Sequence, residues 1–429
     1  MLTRRGWLAG AAASTWGAAP RASGTRLRRH IEELSVFGRP AGGAFADGVS
    51  RVAFSDADVA GRAYVMRLIE RAGLTPRIDA AGNILARRSG AEDQLEPVLF
   101  GSHIDSVPSG GNFDGDLGSL AAIEIVETLA ERRMTTRRPL EIVVWASEEG
   151  VAYARGLYGS AAAAGKLRDG ELDDVWNGVR KSDAVRKIGG RPERIADARR
   201  GPFRCYLELH IEQGGTLERD RVPVGVVEGI VSIERYDVTV RGFANHAGTT
   251  PMAERRDALL AASHLTLAVN EVVRREPGRQ VGTVGQLAVE PNAPNVIPGE
   301  VRMTVELRDL DSGKVGRLAA AIEARAREIA AATRTEIAIR LTARNQGATA
   351  APEVQSVIEA AAAELGLRSK RLPSGAGHDA QMMATLGPMG MIFVPSAGGV
   401  SHSPKEWTDW DDCTRGADVL LAAVLAMAG

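Results

Sequence analysis

The 429-residue sequence has few cysteines and histidines and no long uncharged apolar run. Two cysteines, Cys205 and Cys413, are too few for a disulfide framework or a four-cysteine zinc site, and buried structural thiols are the simplest interpretation. Without an apolar run of about 20 residues, we predict no membrane-spanning helix. Lys and Arg (53) balance Asp and Glu (54), which argues against nucleic acid as the main partner. A hydrophobic content of 44% favours a globular, multi-domain chain, most simply an enzyme.

The first residues favour an export signal. Thr3-Arg4-Arg5-Gly6-Trp7-Leu8 precedes an uncharged small-residue stretch at 9–19, which is typical of a twin-arginine signal and too short for a membrane helix. We predict that residues 1–24 are a signal peptide and that the folded part begins near Thr25. The protein would then work in the bacterial periplasm, or in the cytoplasm if the signal does not function. A disordered N-terminus is the alternative.

Short apolar runs alternate with helical patterns over 25–231 and 346–429. We expect strands at 97–100, 140–145, 203–209 and 391–394, and helices at 117–132 and around 160–165. Strands separated by helices predict an α/β domain with a largely parallel sheet.

The segment 232–345 has a different order of elements. We expect strands at 236–240, 280–288, 301–307 and 336–342, and helices at 257–275 and 315–332. The order βαββαβ predicts a ferredoxin-like domain inserted into the larger one.

Side chains that bind metals collect just beyond the predicted parallel strands. The carboxyl ends of such strands meet at one edge of an open α/β sheet, where ligands bind. Clusters of imidazole and carboxylate suit divalent Zn, Mn or Co. The residues concerned are His103, Asp114, Glu148, Glu149, His210 and His402.

Three carboxylates have a specific expected task. Asp105 lies two residues past His103, so its carboxylate is expected to accept the second imidazole N–H and fix the tautomer. Adjacent Glu148 and Glu149 should point apart, which allows one to hold metal while the other acts as a base. Two metals about 3.5–4 Å apart, bridged by one carboxylate, would together activate water and polarise a carbonyl.

Each residue alone has an ordinary structural interpretation. A strand-end histidine is often a hydrogen-bonded core residue, paired glutamates are often a solvated surface, and Asp114-Gly115 suits a turn. The glycine-rich loop is not a P-loop, because no Gly-Lys-Ser/Thr follows it. These ordinary interpretations are less favoured when the residues are considered together, because all of them fall on one predicted edge of the sheet.

Six motifs carry a resemblance to a known family. The sequence resembles the hydantoinase/carbamoylase branch of the M20 dinuclear metallohydrolases, from Phe37 almost to the C-terminus. That branch includes N-carbamoyl-L-amino-acid hydrolases, β-ureidopropionases and allantoate amidohydrolases. The motifs are Gly101-Ser102-His103-Ile104-Asp105-Ser106, Gly111-Asn112-Phe113-Asp114-Gly115, Glu208-Leu209-His210-Ile211-Glu212-Gln213-Gly214, Asn245-His246-Ala247-Gly248-Thr249-Thr250-Pro251-Met252, Ser374-Gly375-Ala376-Gly377-His378-Asp379-Ala380 and Ser401-His402-Ser403-Pro404-Lys405-Glu406.

The resemblance implies two divalent metal ions and a set of site residues. One metal would be held by His103, Asp114 and His210, and the other by Asp114, Glu149 and His402. The general base would be Glu148. In dimers His246 would complete the active site from the partner chain, although on sequence alone it could be a helix-capping loop residue. The implied substrate contacts are Gln213, Asn295, Arg308 and Gly377, where Arg308 could instead form a surface ion pair with Asp309 or Asp311.

The resulting hypothesis is a metal-dependent amidohydrolase. It would cleave a linear ureido or amide bond of a small molecule that carries a carboxylate, such as an N-carbamoyl amino acid or allantoate. The resemblance also implies a homodimer, and we expect the inserted domain to close as a lid. An M20 N-acyl-amino-acid deacylase or dipeptidase, and a non-catalytic exported binding protein, are the alternatives. The export signal is a departure, because members of this branch are mostly considered cytosolic.

Overall fold

The computed structural model describes residues 20–429, so the arginine pair of the expected signal lies outside the described residues. The first described residues already pack against the domain. The Arg21 guanidinium and the Ala22 N–H both donate to the Asp418 carboxylate, over 2.9 and 2.8 Å. The folded part therefore includes Arg21 and Ala22, which precede the predicted start at Thr25.

The strands of the described residues group into one large sheet, one small four-stranded sheet and two short two-stranded sheets. In chain order they are β1 Arg77–Ile78, β2 Ile84–Arg88, β3 Val98–His103, β4 Leu140–Trp145, β5 Val175–Trp176, β6 Val179–Arg180, β7 Cys205–Ile211, β8 Val224–Ile230, β9 Ser232–Arg241, β10 Asn245–His246, β11 Val281–Glu290, β12 Val296–Ile297, β13 Glu300–Asp309, β14 Glu336–Asn345, β15 Ala348–Thr349, β16 Ser369–Ser374 and β17 Met389–Val394.

Along the chain, helices alternate with the strands of the large sheet, and two further helices pack on the small sheet. The helices are α1 Gly24–Leu34, α2 Asp56–Arg71, α3 Asp116–Glu131, α4 Tyr158–Ala163, α5 Lys181–Lys187, α6 Thr216–Asp220, α7 Ala258–Arg275, α8 Ser312–Thr333, α9 Pro352–Glu364, α10 Asp379–Met383 and α11 Trp410–Ala428. Among residues 20–429, none of them has the length and apolar character needed to cross a bilayer.

The large sheet has the order β1-β2-β4-β3-β7-β17-β8-β15, with β16 beside β8. Its four central strands, β4, β3, β7 and β17, run parallel. All four are buried throughout, as expected for strands covered on both faces. The predicted α/β class with a largely parallel sheet is confirmed.

Hydrophobic cores lie on both faces of this sheet. One includes apolar residues of α1, α2, α3, α9 and α11, and the other includes Trp145, Phe203 and residues of α10. Of the helices in the first of these cores, only α3 was predicted, and α1, α2, α9 and α11 were not. In α11 the buried residues outnumber the exposed ones, so the alternation of apolar and polar residues that signals a surface helix is weak.

The middle segment shows the predicted order of strands and helices. Its antiparallel sheet has the order β11-β13-β9-β14, with α7 and α8 packed on it. Both helices start at an aspartate N-cap. The Asp257 carboxylate accepts the N–H groups of Leu259 and Leu260, and the Asp311 carboxylate accepts that of Gly313.

Candidate metal centre and active site

Two buried histidines lie at the ends of neighbouring parallel strands. His103 is the last residue of β3 and His210 the last but one of β7, so both belong to the strands rather than following them as predicted. The Nδ1 atoms contact main-chain carbonyls, of Asp105 over 3.0 Å and of Ile211 over 2.9 Å. A carbonyl can only accept, so each Nδ1 carries a proton and each Nε2 is the atom available for a metal.

Asp105 has a different task from the predicted one. Its carboxylate lies 3.8 Å from the His103 Nδ1, which bonds instead to the Asp105 main-chain oxygen. The two carboxylate oxygens accept the backbone N–H groups of Glu148 and Glu149, over 3.0 and 3.2 Å. Asp105 therefore fixes the loop after β4 that carries both glutamates.

Asp114 lies between the two histidines, just before α3. Its Oδ1 is 3.1 Å from the His210 Nε2 and 3.6 Å from the His103 Nε2. The chain turns there through Gly115 at φ 66°, and a Cβ on Gly115 would come within 2.4 Å of the His103 ring. Only glycine fits both the backbone conformation and this close approach.

A second set of donors meets the other oxygen of Asp114. The His402 Nε2 is 3.4 Å from the Asp114 Oδ2 and 3.3 Å from the Glu149 Oε2. The Glu149 side chain is buried, whereas that of His402 is 51% exposed. Asp114 thus joins two triads, one through each carboxylate oxygen.

The donor atoms of these triads fit divalent metal ions. The Nε2 atoms of His103 and His210 and the Oε1 of Glu149 are buried without a hydrogen-bond partner in the described chain. Each triad brings three ligand atoms within 4.8 Å of one another. Mixed imidazole and carboxylate ligands suit Zn and similar ions.

A third cluster near His210 is less suited to a metal. Glu208 and His378 approach His210, but their polar atoms are already engaged. Glu208 accepts hydrogen bonds from the Ser102 and Tyr206 hydroxyls and from the Ala380 N–H, and the His378 Nε2 bonds to the Ser374 hydroxyl.

The charges of the triads support one another. Burial alone would raise the pKa of Asp114, but the three neighbouring histidines hold it well below its usual range. Burial alone would lower the pKa of His103, yet Glu148 and the nearby aspartates hold it well above. A hydrogen bond to Asp114 raises the pKa of His402 to about 9.

Glu148 lies beside the first triad without belonging to it. Its Oε2 is 3.7 Å from the His103 Nε2, and its side chain is 9% exposed. Burial raises its pKa well above the ordinary value, partly offset by His103. A carboxylate that readily takes a proton at this position suits a general base.

Three further side chains hold Asp114 in place. Gln213, at φ 57°, donates its amide to the Asp114 Oδ2 over 2.6 Å, and the Ser401 hydroxyl donates to the same oxygen over 3.1 Å. Glu406 accepts the Asp114 N–H over 3.1 Å. Sequence analysis had assigned Gln213 to the substrate and gave Ser401 and Glu406 no role, although both lie in the last quoted motif.

Unlike Gln213, the predicted residues His246, Asn295 and Gly377 form no hydrogen bond with the triads within the described chain. His246 and Asn295 are both exposed and lie at the short antiparallel pairing of β10 with β12, where the Asn295 carbonyl accepts the Ala247 N–H. The hydrogen bonds of His246 within the described chain reach no metal-type residue. Gly377 is partly buried in the loop before α10.

Arg308 connects β13 of the four-stranded sheet to the loop that follows β16 of the large sheet. Its Nε and Nη2 donate to the Glu306 Oε1 over 2.9 and 2.7 Å, and its Nη1 donates to the Gly375 carbonyl over 2.6 Å. The alternative prediction, an ion pair of Arg308 with Asp309 or Asp311, is wrong about the partner, which is Glu306. Residues two apart on a strand share a face, which is why Glu306 is the partner.

The fold is a largely parallel α/β sheet that carries a candidate divalent-metal centre at one edge, and comparison with known proteins places the chain in a class of hydrolases. Residues 99–426 match the family model "Peptidase family M20/M25/M40". An N-carbamoyl-L-amino acid amidohydrolase from Geobacillus stearothermophilus is 39% identical over 94% of this chain and 98% of its own. The allantoate amidohydrolase of Escherichia coli (strain K12) is 33% identical over 94% of this chain and 99% of its own.

A solved structure agrees with both relatives. A hydantoinase/carbamoylase family amidase from Burkholderia ambifaria superposes with a TM-score of 0.89 at 37% identity, over 96% of this chain and 99% of its own. The chain belongs to the M20/M25/M40 family, and the resemblance stated from its motifs is confirmed. The protein is an enzyme, an amidohydrolase that acts on carbon–nitrogen bonds other than peptide bonds.

Proposed function

We propose that this amidohydrolase cleaves the ureido bond of an N-carbamoyl amino acid or an allantoate-type substrate. The observation that carries the proposal is the pair of triads joined by Asp114, with Glu148 beside them. Two relatives that match nearly the whole chain are named for carbamoyl and allantoate substrates.

The triads would hold two divalent ions, of Zn, Mn or Co. His103, Asp114 and His210 form one ligand set, and Asp114 with Glu149 and His402 forms the other. When bound, such ions supply Lewis acidity, which lowers the pKa of water and polarises a carbonyl.

Glu148 would move the proton of the reaction. It takes a proton from the attacking water, whose oxygen forms the new bond to the carbamoyl carbon. The bond from that carbon to the amino-acid nitrogen then breaks, and Glu148 returns the proton to the leaving nitrogen. The other product, carbamic acid, then breaks its remaining carbon–nitrogen bond to give carbon dioxide and ammonia, so the final products are the amino acid, carbon dioxide and ammonia. The Asp105 hydrogen bond to the Glu148 N–H holds the base in position.

His246 would stabilise the developing oxyanion. Its Nδ1 accepts the N–H groups of Gly248 and Thr249 over 3.0 and 3.2 Å, so the proton of the neutral ring is on Nε2. An exposed Nε2–H is a hydrogen-bond donor for an oxyanion. Within the described chain the hydrogen bonds of His246 are all local and none reaches a triad, which favours delivery from the partner of a homodimer.

The small domain offers a surface for that dimer. β11 is an edge strand of its sheet and exposes Val281 and Leu287, and the adjoining α7 exposes Leu260 and Leu267. An unpaired strand edge beside an apolar helix face favours pairing with a second chain. We further propose that this domain closes over the substrate as a lid.

Arg308 would hold the substrate carboxylate. Its guanidinium fork already binds one carboxylate oxygen, that of Glu306, which is the interaction a substrate carboxylate would make. Gln213, Asn295 and the loop at Gly377 would contact the rest of the ureido acid.

The test is ammonia release after the protein is stripped with chelator and reloaded with Zn, Mn or Co. The substrates are N-carbamoyl amino acids, N-carbamoyl-β-alanine and allantoate, with N-acetyl amino acids as the comparison set. Metal-dependent ammonia from a ureido acid is the expected result. Amino acid released only from the N-acetyl set would instead identify a deacylase, and metal binding without turnover would identify a binding protein.

For location, we propose export to the periplasm through the arginine pair at residues 4 and 5. The packing of Arg21 and Ala22 on Asp418 favours cleavage before residue 21, because later cleavage would remove these contacts. Replacing both arginines with lysine should retain the protein in the cytoplasm, and unchanged periplasmic recovery would contradict export by this route.

A further inference from the structure

A cavity of about 590 Å³ adjoins the candidate active site and extends away from it. Its lining includes Gln213, whose amide donates to Asp114, and Gly375, whose carbonyl accepts a hydrogen bond from the Arg308 guanidinium. A substrate held by Arg308 would therefore have the cavity open beside it. The cavity is lined by both domains, because Arg279 comes from the small domain and the other lining residues from the large one.

The lining of this cavity carries an excess of positive charge. Three cations line it, Arg219, Arg279 and Lys370, against one acid, Glu212. The Glu212 oxygens are already used, since they accept the N–H groups at the start of α6 over 2.8 and 2.7 Å.

The acids that pair with the three cations lie outside the cavity lining. Lys370 and Arg219 share Asp220, with the Arg219 contact at 3.5 Å, and Arg279 pairs with Glu228. Because the single carboxylate of Asp220 pairs with both Lys370 and Arg219, one positive charge of this group is not neutralised at the cavity. All three cationic side chains are at least 39% exposed, and such exposed pairs are weak enough for a ligand carboxylate to compete.

We propose that this cavity receives a second anionic group of the substrate, so that the preferred substrates are N-carbamoyl dicarboxylic acids. This inference rests on the proposed function, since it takes the first carboxylate to be the one held by Arg308. The second carboxylate lies among Arg219, Arg279 and Lys370, and no covalent step beyond ureido hydrolysis is involved.

The test compares N-carbamoyl-glutamate with N-carbamoyl-glutamine, which differ in charge but hardly in shape, on the metal-loaded full chain. The expected kcat/KM ratio is about five- to tenfold in favour of the glutamate compound, as one or two exposed ion pairs supply. The ratio should fall as salt is added, because exposed charges are screened.

Lys370→Gln should lower this ratio to about twofold, and Lys370→Glu should invert it. Arg371→Gln is the matched control: Arg371 is the next residue of β16, is 46% exposed, and pairs with Glu359 away from the cavity. That variant should keep the wild-type ratio.

The outcomes separate the two proposals. Equal turnover of both compounds, or a ratio that Lys370 variants leave unchanged, overturns the dicarboxylate inference while the ureido hydrolase stands. Absence of turnover for every ureido acid overturns the proposed function, and the inference with it.

Discussion

The two triads of the candidate metal centre differ in how firmly the protein holds them. His103 and His210 belong to central strands, are almost fully buried, and have their Nδ1 atoms fixed by backbone carbonyls. His402 lies on a loop at φ 54°, and its side chain is half exposed. The first triad is therefore pre-organised by the sheet, whereas the second depends on a loop. A metal on the second triad should exchange more readily.

Adjacent glutamates provide the sharpest way to separate catalysis from metal binding. Glu148→Gln should lower kcat by about 10²–10⁴-fold with both metal sites intact, because it removes proton transfer alone. Glu149→Gln should instead lower the metal content of the loop-borne triad, because Glu149 belongs to it. Metal analysis beside steady-state kinetics distinguishes them. Wild-type turnover in Glu148→Gln would remove Glu148 from the mechanism.

Replacing one histidine in each triad tests the comparison directly. His210→Ala should weaken metal affinity about tenfold or more relative to His402→Ala. Replacing even a residue that only supports a metal ligand typically lowers metal affinity about 10–100-fold. Titration of the stripped protein with Zn or Mn measures both variants. Equal losses would mean that burial and strand anchoring do not set affinity here.

Much of this centre could be predicted from sequence because parallel strands bring distant residues to one edge. His103 and His210 are examples, as strands ending near them must meet. The contact between Glu406 and the Asp114 N–H, and the contact between the Asp105 carboxylate and the loop after β4, could not be predicted. They depend on how loops fold over the edge, which apolar periodicity does not encode.

The contact between Arg308 and Glu306, by contrast, could have been predicted from the sequence. Glu306 lies two residues away from Arg308 on β13, so strand periodicity contained the information. Asp309 and Asp311 were nearer candidates only along the sequence. A strand assignment should be applied to side-chain pairing as well as to burial.

Arg308→Lys should raise KM about tenfold and leave the metal content of both triads unchanged. A lysine keeps the charge but loses the fork that binds a carboxylate through two N–H groups. Kinetics on a ureido acid, with metal analysis as the control, test this expectation. A loss of metal would show that the bridge to Gly375 supports the triads rather than the substrate.

The smallest expected effect concerns the pH dependence of stability that arises from His30. This buried histidine lies near several arginines, whereas the buried His103 lies near carboxylates. Burial, followed by the charge of Arg29, lowers the pKa of His30 to about 4, although the Glu127 carboxylate is 4.0 Å from its Nδ1. The folded state therefore binds fewer protons than the unfolded chain between pH 6.5 and 4, and stability falls as pH falls through that window.

His30→Gln should remove about 1 kcal/mol of the stability loss between pH 6.5 and 5. Denaturant unfolding of the metal-free protein at both pH values measures the difference, and His264→Gln, at an exposed position of α7, is the matched control. An identical pH slope in His30→Gln and wild type would show that His30 does not contribute. At His103 the carboxylates Glu148, Asp114 and Asp105 reverse the effect of burial. Burial therefore has opposite outcomes at His30 on α1 and at His103 on β3, because the carboxylates around His103 outweigh it.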